Sequence, residues 1–399
     1  MSSEPPMKRP RTITSELSFA LEPIARWRGK PAPMRQPKEI ASFSYDDKRV
    51  QHHDDSGLKY YWPPALGQHL GNGFKELVKH DDSVDEHLDS LLAALIHHET
   101  TPPVPVSIEE DNTAAEPPKV LPAIDFVTWR GMATKLLCTP FSSDPWSMNA
   151  VRLNDTIYIE EHKQPPRPMD ERGELFSYMG YKFEALSTLR RPFGEVERKE
   201  IEERDKEVVN NIEQYCSIVK TSIGGSRLVL GGEVDCVYDY KPEDGENPSS
   251  HYCELKTNKL INTDRDRTSF ERYKLLKFWA QSFLLGVPKV IVGYRTNDGI
   301  LAHIEELDTQ KIPSMVKKNN PQGPPWDASA AINFMAGLLE WLKTAIPEGE
   351  GMWRMEYAGT GKRVVEVKRV ELGGYGFLTE EFVEHVMTKH ANAQEEPKP

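Results

Sequence analysis

The stretch Gly231–Thr257 reads GGEVDCVYDYKPEDGENPSSHYCELKT and contains two strand-like runs on either side of a polar loop. Each run carries charged residues two positions apart: Glu233 and Asp235 in the first run, Glu254 and Lys256 in the second. Residues i and i+2 of a strand point to the same side, roughly 6.5–7 Å apart. If the runs are neighbouring strands, three carboxylates and one ammonium group therefore meet over one patch of sheet.

Two interpretations of these charges are open. Oxygen-rich clusters hold Mg²⁺ or Mn²⁺, whereas an isolated E-x-D pair is commonly a solvated feature of an edge strand. The neighbouring residues are apolar and give both runs the character of a protein core: Val234, Cys236, Val237, Tyr252, Cys253 and Leu255. Because unpaired carboxylates in a core are costly without a cation, the metal site is the favoured interpretation.

The composition excludes several classes of protein. The chain has 399 residues, enough for one large domain or two ordinary ones. No apolar run approaches the roughly 20 residues that a membrane span needs, and no signal-peptide segment opens the chain. The four cysteines form no CxxC pair, so an intracellular, reducing compartment fits better than a zinc site or a disulfide framework. The net charge of −12 argues against broad adhesion to nucleic acid, but not against an enzyme that binds phosphates through cations.

Hydrophobic periodicity predicts the elements around the central stretch. Ser83–His98 carries an apolar stripe, and Ser83 with Glu86 has the pattern of a capping box, which predicts a helix. Alternating residues in FSYMGYKFEALS predict a strand-like run that ends at Glu184. The other predicted elements are helices over 126–137, 197–218, 268–285 and 326–346, hairpins over 150–159 and 353–370, and a buried strand over 288–294. The expected fold is α/β (α+β), with a mixed β-sheet core flanked by helices.

We expect a single large domain over residues 15–385, with a flexible loop at 99–121. Residues 1–14 and 386–399 are predicted to be disordered tails. The basic run Lys8–Arg11 in the first tail is a candidate nuclear import signal, and an ordinary basic tail is an equal alternative.

The pattern of Asp235, Glu254 and Lys256 resembles the motif of the PD-(D/E)xK nuclease superfamily. Because E-x-K is common, this pattern alone is a weak signal. Five motifs in chain order make the likeness specific: TWRG at Thr128–Gly131, GYKFE at Gly180–Glu184, GEVDC at Gly232–Cys236, ELKT at Glu254–Thr257 and KFWAQSFLLGVP at Lys277–Pro288. Together they resemble the DXO family of eukaryotic RNA 5′-end decapping enzymes. FSYDDKR near the start and YGFL at Tyr375–Leu378 extend the resemblance over almost the whole chain.

The resemblance implies roles for particular residues. The implied metal ligands are Glu184, Glu233, Asp235, Glu254 and the backbone carbonyl of Leu255. The implied catalytic residues are Glu233, Asp235, Glu254, Lys256 and Gln281, of which Lys256 and Gln281 would contact the scissile phosphate or the attacking water. The implied substrate-binding residues are Arg49, Glu86, Trp129, Arg130, Gly131, Cys216, Glu233, Lys256 and Gln281. Helix capping is the alternative role for Glu86, and simple helix packing is the alternative for Cys216.

Three further cations, Lys274, Lys277 and Arg295, would line the path of the RNA. A solvated helix face is the alternative for the two lysines, which fall on one face of the predicted helix 268–285.

The resemblance also implies an activity, Mg²⁺- or Mn²⁺-dependent hydrolysis of RNA 5′ ends. Two ions, about 3.5–4 Å apart, can activate water and stabilise a leaving oxygen. Enzymes of this family act on triphosphate, unmethylated guanosine-capped and NAD-capped ends and leave a 5′-monophosphate, and some also degrade the RNA from the 5′ end. The fungal branch partners a nuclear 5′→3′ exoribonuclease, so a nuclear enzyme of RNA quality control is expected. Two alternatives remain open: a DNA nuclease that shares only the superfamily core, and an activator of the exoribonuclease whose own site is idle.

Overall fold

Two mixed β-sheets form the frame of the protein, which a computed structural model describes over residues 17–101, 123–165, 168–242, 245–359 and 361–395. Over these residues the strands are β1 (Leu17–Ala20), β2 (Met34–Tyr45), β3 (Gln51–His52), β4 (Tyr60–Tyr61), β5 (Phe126–Trp129), β6 (Trp146–Leu153), β7 (Thr156–Glu161), β8 (Thr188–Leu189), β9 (Gln214–Ile223), β10 (Ser226–Glu233), β11 (Cys236–Val237), β12 (Tyr252–Lys259), β13 (Lys289–Arg295), β14 (Leu301–Asp308), β15 (Gly349–Tyr357) and β16 (Val364–Glu371).

The chain passes from one sheet to the other at Asp235. Within the described residues, the first sheet has ten strands in the order β1-β16-β15-β6-β7-β5-β10-β9-β2-β3, and the second has six in the order β14-β13-β12-β11-β4-β8. β10 ends at Glu233 in the first sheet, and β11 begins at Cys236 in the second. β11 then pairs antiparallel with β12, with Cys236 opposite Cys253. The predicted pairing of the two runs is therefore correct beyond Asp235, whereas Glu233 belongs to the other sheet.

Helices separate the two sheets and cover their outer faces. The helices are α1 (Ile24–Trp27), α2 (Asp89–Thr100), α3 (Arg130–Cys138), α4 (Glu171–Leu186), α5 (Arg198–Glu203), α6 (Asp264–Ser269), α7 (Leu276–Leu285), α8 (Ile312–Asn319), α9 (Ala328–Ala345) and α10 (Glu380–Glu395), with a π-helical segment, Phe270–Leu275, between α6 and α7. Apolar residues of α3, α7 and α9 fill the core between the sheets. α2 and α10 cover the outer face of the first sheet, and α4 covers that of the second.

Alternation of side chains along the strands assigns each residue to one of these layers. In β10, Leu228 and Leu230 point into the core between the sheets, and Val229 points to the layer of α2 and α10. In β13, Val292 likewise faces the inner core, whereas Ile291 packs under α4. Strands covered on both faces read as continuous apolar runs, which is why the buried strand at 288–294 was predictable.

Several predicted elements are confirmed. The hairpin at 150–159 is formed by β6 and β7, and the hairpin at 353–370 by β15 and β16. The helix at 326–346 is α9, and the helix at 268–285 is formed by α6, the π-helical segment and α7. The α/β class with a mixed sheet flanked by helices is also correct.

Four local predictions are wrong. Residues 126–129 form β5, so the helix predicted over 126–137 starts only at Arg130. The run that ends at Glu184 is helical, because it belongs to α4. The helix predicted over 197–218 is only the short α5, and the chain then enters β9. α2 begins at Asp89 rather than after Ser83, whose hydroxyl donates to Asp81 instead of capping a helix.

The ends of the predicted domain differ in part from the structure. α10 continues to Glu395, so the tail predicted as disordered over 386–399 is helical up to that residue. α2 likewise extends to Thr100, inside the loop predicted at 99–121. Most of that loop and the basic tail at 1–14 lie outside the described residues. Among the described residues, no helix is long and apolar enough to cross a membrane.

Candidate active site

Acidic side chains from separate parts of the chain line one cavity of about 390 Å³. They come from the last turn of α4, the end of β10, the crossover between the sheets and the middle of β12. Of the residues implicated by sequence, those lining the cavity are Glu184, Glu233, Asp235, Glu254, Lys256, Gln281 and Arg130. The two sheets thus bring four carboxylates, two cations and one amide to the place where they meet.

A buried triad of charges lies at the inner end of this cavity. Lys256 Nζ lies 2.6 Å from Glu254 Oε1, and Arg130 Nη1 donates to the same oxygen at 3.2 Å. Glu254 is 2% exposed. Burial opposes its ionisation, but the charges of Arg130 and Lys256 outweigh burial and lower the pKa of Glu254 to about 2. This carboxylate is therefore ionised and holds both cations in place.

Asp235 is fixed against the edge of β12. Its Oδ2 accepts a hydrogen bond from the Leu255 backbone N–H at 2.5 Å. The N–H and C=O of one strand residue point to the same side of the strand, so the Leu255 carbonyl also faces the edge at which Asp235 lies. This geometry is compatible with the backbone ligand that the resemblance implies.

The remaining carboxylates resist ionisation. Burial, followed by repulsion from Glu254, raises the pKa of Asp235 to about 7. Burial, followed by repulsion from Asp235 and Glu233, raises the pKa of Glu184 well above its ordinary value. Burial also raises the pKa of Glu233, against the opposing charge of Arg130. Mutual repulsion of clustered carboxylates is the condition that a bound cation relieves.

The donor set fits a hard divalent cation, since carboxylate and carbonyl oxygens are the ligands that Mg²⁺ and Mn²⁺ prefer. Among the described residues, however, no three His, Cys, Asp or Glu side chains are already arranged as a metal site. The contacts explain this, because Glu254 is held by Arg130 and Lys256, and Asp235 by a backbone amide. Holding a cation would require these carboxylates to turn toward the cavity.

Two glycines of β10 leave room for Trp129 and Arg130; Arg130 lines the cavity, whereas Trp129 packs in the layer of α2. A Cβ at Gly231 would lie 2.8 Å from the Trp129 ring, and one at Gly232 would lie 2.9 Å from Arg130 Cβ. The GG pair of the central stretch is therefore needed for the close approach of β10 to the start of α3. The Trp129 indole N–H donates to the His87 carbonyl at 2.9 Å. At Gly131 a Cβ would meet nothing within 4 Å, so the space beside the first turn of α3 is open.

Arg49 and Glu86 form an ion pair near the cavity. Arg49 Nε and Nη2 donate to the two carboxylate oxygens at 2.8 and 2.7 Å, and its Nη1 donates to Gln214 at 2.6 Å. The hydrogen bonds from Arg49 outweigh the opposing effect of burial and lower the pKa of Glu86 to about 2. Gln214 lines the cavity, as does His80, which lies 3.2 Å from Glu86. Glu86 therefore has no capping role. Arg49 and Glu86 do not line the cavity themselves but contact Gln214 and His80, which do.

Cys216 is a strand residue, so its predicted position on a helix is wrong. It lies in β9 directly opposite Glu233 of β10 and is 4% exposed. Burial, followed by the charge of Glu233, raises the pKa of its thiol well above the ordinary value. A neutral, buried thiol here lies beside Glu233 on the same face of the sheet.

The three cations predicted to line an RNA path occupy different settings, and none of them lines the 390 Å³ cavity. Lys277 is paired with Asp144 at 2.7 Å. Lys274 Nζ lies 3.5 Å from the Thr257 carbonyl, one residue beyond Lys256. Arg295 is buried under α4.

Sequence reasoning missed part of the cavity wall. Residues lining it that no motif indicated include Lys59, His80, Arg190, Arg204, Asn211 and Gln214. They come from loops, strand ends and a short 3₁₀ helix, which are too short or irregular to give a hydrophobic period. Lys59 is close enough to Glu184 and Glu233 for its charge to favour their ionisation.

Comparison with known proteins assigns this architecture to a family. The model of the RAI1 like PD-(D/E)XK nuclease family matches residues 35–383. The chain belongs to this family. It is similar to the decapping nuclease RAI1 of Neurospora crassa, with 43% identity over 94% of this chain and 88% of the relative. It is also similar to that of Emericella nidulans, with 45% identity over 90% of this chain and 95% of the relative.

Solved structures of family members share the fold. Candida albicans Rai1 in complex with pU5 and Mn²⁺ superposes with a TM-score of 0.80, at 29% identity over 94% of this chain and 99% of that one. Scheffersomyces stipitis Rai1 in complex with (3′-NADP)⁺ and calcium ion has a TM-score of 0.77, at 28% identity over 93% and 100%. The expectation of a PD-(D/E)xK nuclease fold is thereby confirmed. The chain is a hydrolase of the decapping nuclease family.

Proposed function

We propose that this protein is a Mg²⁺- or Mn²⁺-dependent hydrolase that removes triphosphates, unmethylated guanosine caps and NAD caps from RNA 5′ ends and leaves a 5′-monophosphate. The observation that carries the proposal is the convergence of Glu184, Glu233, Asp235 and Glu254 on one cavity beside Lys256. The relatives' names support decapping. The nucleotide and metal complexes of the related Rai1 proteins support the class of ligand.

The residues that would hold divalent ions are the four carboxylates and the Leu255 carbonyl. Bound ions would supply charge neutralisation at the phosphate and activation of water. The like-charge repulsion among Glu184, Glu233 and Asp235 favours such binding, since it falls when a cation enters.

Lys256 supplies a positive charge beside these carboxylates. Because Glu254 and Asp235 both favour its charged form, the pKa of Lys256 is raised despite burial, and it stays an ammonium group. It can donate to a phosphate oxygen or orient the attacking water, and its fixed position beside Glu254 makes it a preorganised donor. Gln281 on α7 offers an amide to the same cavity. Arg130 and the open first turn of α3 would receive the 5′-terminal phosphates.

A 5′-monophosphate end is what a 5′→3′ exoribonuclease requires, so product release would feed such an enzyme. We include in the proposal that the protein resides in the nucleus and activates a nuclear 5′→3′ exoribonuclease. Its resemblance to the fungal branch of the DXO family and the basic run Lys8–Arg11 support this part. Degradation of the RNA body from the 5′ end is a further activity of the same proposed site.

The experiment is to incubate RNAs carrying each 5′ end with the protein and Mn²⁺ and to identify the released groups. We expect release from the wild type and none from the Glu233→Ala, Asp235→Ala double variant. Preferential cleavage of duplex DNA would instead favour a DNA nuclease. Unchanged release and metal binding in the double variant would refute the site. If the wild type releases no group but still stimulates the exoribonuclease, the protein would be an activator without catalytic activity of its own.

A further inference from the structure

Two of the cations that line the active-site cavity have no anionic partner among the residues that the structure describes. Five Lys and Arg side chains line this cavity. Three of them are paired with carboxylates: Arg130, Lys256 and Arg190. Lys59 and Arg204 also line it, but within the described ranges neither forms an ion pair. These two residues, which no sequence motif indicated, are called the outer cations below.

Arg204 is held by main-chain atoms rather than by an anion. It is 8% exposed, and its Nε and Nη1 donate to the carbonyls of Ile201 and Trp62, both at 3.2 Å. Its Nη2 donates to none of the described residues, and Glu207, whose charge acts on it, is exposed and therefore screened by water. Since buried charges in proteins are normally paired, a guanidinium of this kind in a cavity wall indicates that its partner is a ligand anion.

The helix α4 fixes Arg204 relative to the proposed metal ligands. Lys182 of α4 is 2% exposed, and its Nζ donates to the carbonyl of the residue after Arg204 at 2.7 Å. Trp62, whose carbonyl accepts from Arg204, in turn donates its N–H to the carbonyl of Ser187 at 2.8 Å. Lys182 and Ser187 lie on either side of Glu184 in the sequence, at the end of α4. Arg204 is therefore anchored to the part of the helix that carries a proposed metal ligand.

Lys59 lies next to the crossover between the two sheets. Its carbonyl accepts a hydrogen bond from the Val237 N–H at 2.8 Å, just after the crossover residue Asp235. Its half-buried side chain lines the cavity with Glu184 and Glu233, and its charge favours the ionisation of both. It forms an ion pair with neither of them within the described ranges. Lys59 therefore adds to the site a second lysine, one that is not held by a carboxylate as Lys256 is.

We propose that the outer cations bind the two terminal phosphates of a 5′-triphosphate end, which leave as pyrophosphate on hydrolysis. Arg204 can donate to phosphate oxygens through Nη2, and Lys59 supplies a compact positive charge. The 5′-terminal phosphates are then divided between two groups of cations. The phosphate that stays on the RNA lies at Arg130, and the two that leave lie at the outer cations. This assignment rests on the proposed function.

The chemistry of the reaction requires positive charge where the pyrophosphate departs. The water oxygen forms a bond to the α-phosphorus, and the bond from that phosphorus to the bridging oxygen breaks. The pyrophosphate leaves with the electron pair of that bond, and a proton of the water passes to the solvent. The attacking and leaving oxygens are roughly in line, so if Lys256 orients the water at the inner end of the cavity, the leaving group points toward the wall that carries Arg204. Preorganised cations there stabilise the charge that develops on the leaving oxygen.

The test compares two short RNAs of the same sequence by fluorescence anisotropy in Mn²⁺. One carries a 5′-monophosphate, and the other a 5′-triphosphate in which a methylene group replaces the bridging oxygen between the α- and β-phosphorus, so that this link cannot be hydrolysed. We expect the wild type to prefer the triphosphate analogue. Arg204→Gln and Lys59→Gln should each reduce that preference by about tenfold or more, with the affinity for the monophosphate RNA unchanged. Arg198→Gln is the matched control, because it removes an exposed arginine of α5 that does not line the cavity. It should keep the wild-type preference.

Lys59 is only half-buried, so Lys59→Gln decides the matter even if Arg204→Gln fails to fold. The proposal would be overturned if the wild type bound both RNAs equally, or if Lys59→Gln and every folded Arg204→Gln sample kept the preference seen in Arg198→Gln. Equal weakening for both RNAs would also overturn it, since that result reports a displaced cavity wall rather than lost contacts with the leaving phosphates. Because the analogue binds without turnover, an absence of hydrolysis of natural RNA ends would refute the proposed function while leaving this comparison readable.

Discussion

Lys256 Nζ lies 2.6 Å from Oε1 of Glu254 in the interior of the protein. The same carboxylate oxygen accepts from Arg130, so two cations share one buried anion between the sheets. Lys256 is thereby held in the charged form at the inner end of the cavity. The first consequence concerns stability rather than catalysis.

Glu254→Gln should strongly destabilise the protein, because it leaves Arg130 and Lys256 without their common anion. Removing one partner of a buried ion pair typically costs about 3–5 kcal/mol. The free energy of unfolding, measured with denaturant, checks this. Glu202→Gln is the control, since it breaks an exposed pair with Arg198 and should change stability by at most about 1 kcal/mol. Equal losses in the two variants would contradict the role assigned to Glu254.

The carboxylate cluster predicts a dependence of stability on pH. The pKa of Asp235 is raised from 3.8 to about 7 in the folded protein. Between these values the folded state holds a proton that the unfolded state has lost, so this group makes stability fall as pH rises. Glu184 and Glu233 act in the same sense. Without divalent ions, the melting temperature should therefore decline between pH 5 and about pH 7.

Asp235→Asn should reduce that decline, and Mn²⁺ should stabilise the wild type more at pH 7 than at pH 5, because protons compete with the ion for the carboxylates. Thermal melts at both pH values, with and without Mn²⁺, measure both effects. If the melting temperature of Asp235→Asn falls by the same amount between pH 5 and pH 7, groups other than Asp235 cause the pH dependence.

Lys256→Gln should lower the turnover of 5′-triphosphate RNA while leaving most of the binding intact. Loss of one preorganised donor to a developing charge lowers kcat by about 10²–10³. Steady-state kinetics with Mn²⁺ separate kcat from KM. The control is Lys318→Gln, which removes an exposed lysine that does not line the cavity. Its kcat should equal that of the wild type. A wild-type kcat in Lys256→Gln would exclude the lysine from the reaction.

Helix capping gives a test of the corrected start of α2. Ser83→Ala should leave stability unchanged, because the Ser83 hydroxyl donates to Asp81 rather than capping a helix, and α2 begins at Asp89. Asp327→Ala should lose about 1 kcal/mol, since Asp327 caps α9 by accepting from the Ala330 N–H at 2.9 Å. Denaturant melts of the two variants compare them directly. A loss in Ser83→Ala as large as that in Asp327→Ala would restore the capping box.

The central motifs were predictable because burial and charge coincide in them. E-x-K on an apolar strand and E-x-D after a glycine pair indicated a site in the core, and both line the cavity. The crossover at Asp235 was not predictable, since a change of sheet leaves no periodic signal. It places Glu233 and Glu254 in different sheets and still on the same cavity.

The local errors have a common physical cause, which is competition between short-range periodicity and tertiary contacts. Tyr181 and Phe183 alternate like strand residues, yet Phe183 packs on Gly293 from a helix. Apolar residues before Ile218 are spaced like a helix face, yet Tyr215 and Ile218 lie in β9 between two other strands. Glu184 was thus assigned to the site by its motif, although its element was predicted wrongly.

The most direct test of the central claim is a calorimetric titration with Mn²⁺ of the wild type, Glu184→Gln, Asp235→Asn and the exposed control Asp298→Asn. If α4, β10, the crossover and β12 join in one metal site, Glu184→Gln and Asp235→Asn should each weaken Mn²⁺ binding by more than about tenfold. Asp298→Asn should bind as the wild type does. Wild-type affinity in both Glu184→Gln and Asp235→Asn would contradict the claim that these segments form one metal-binding centre.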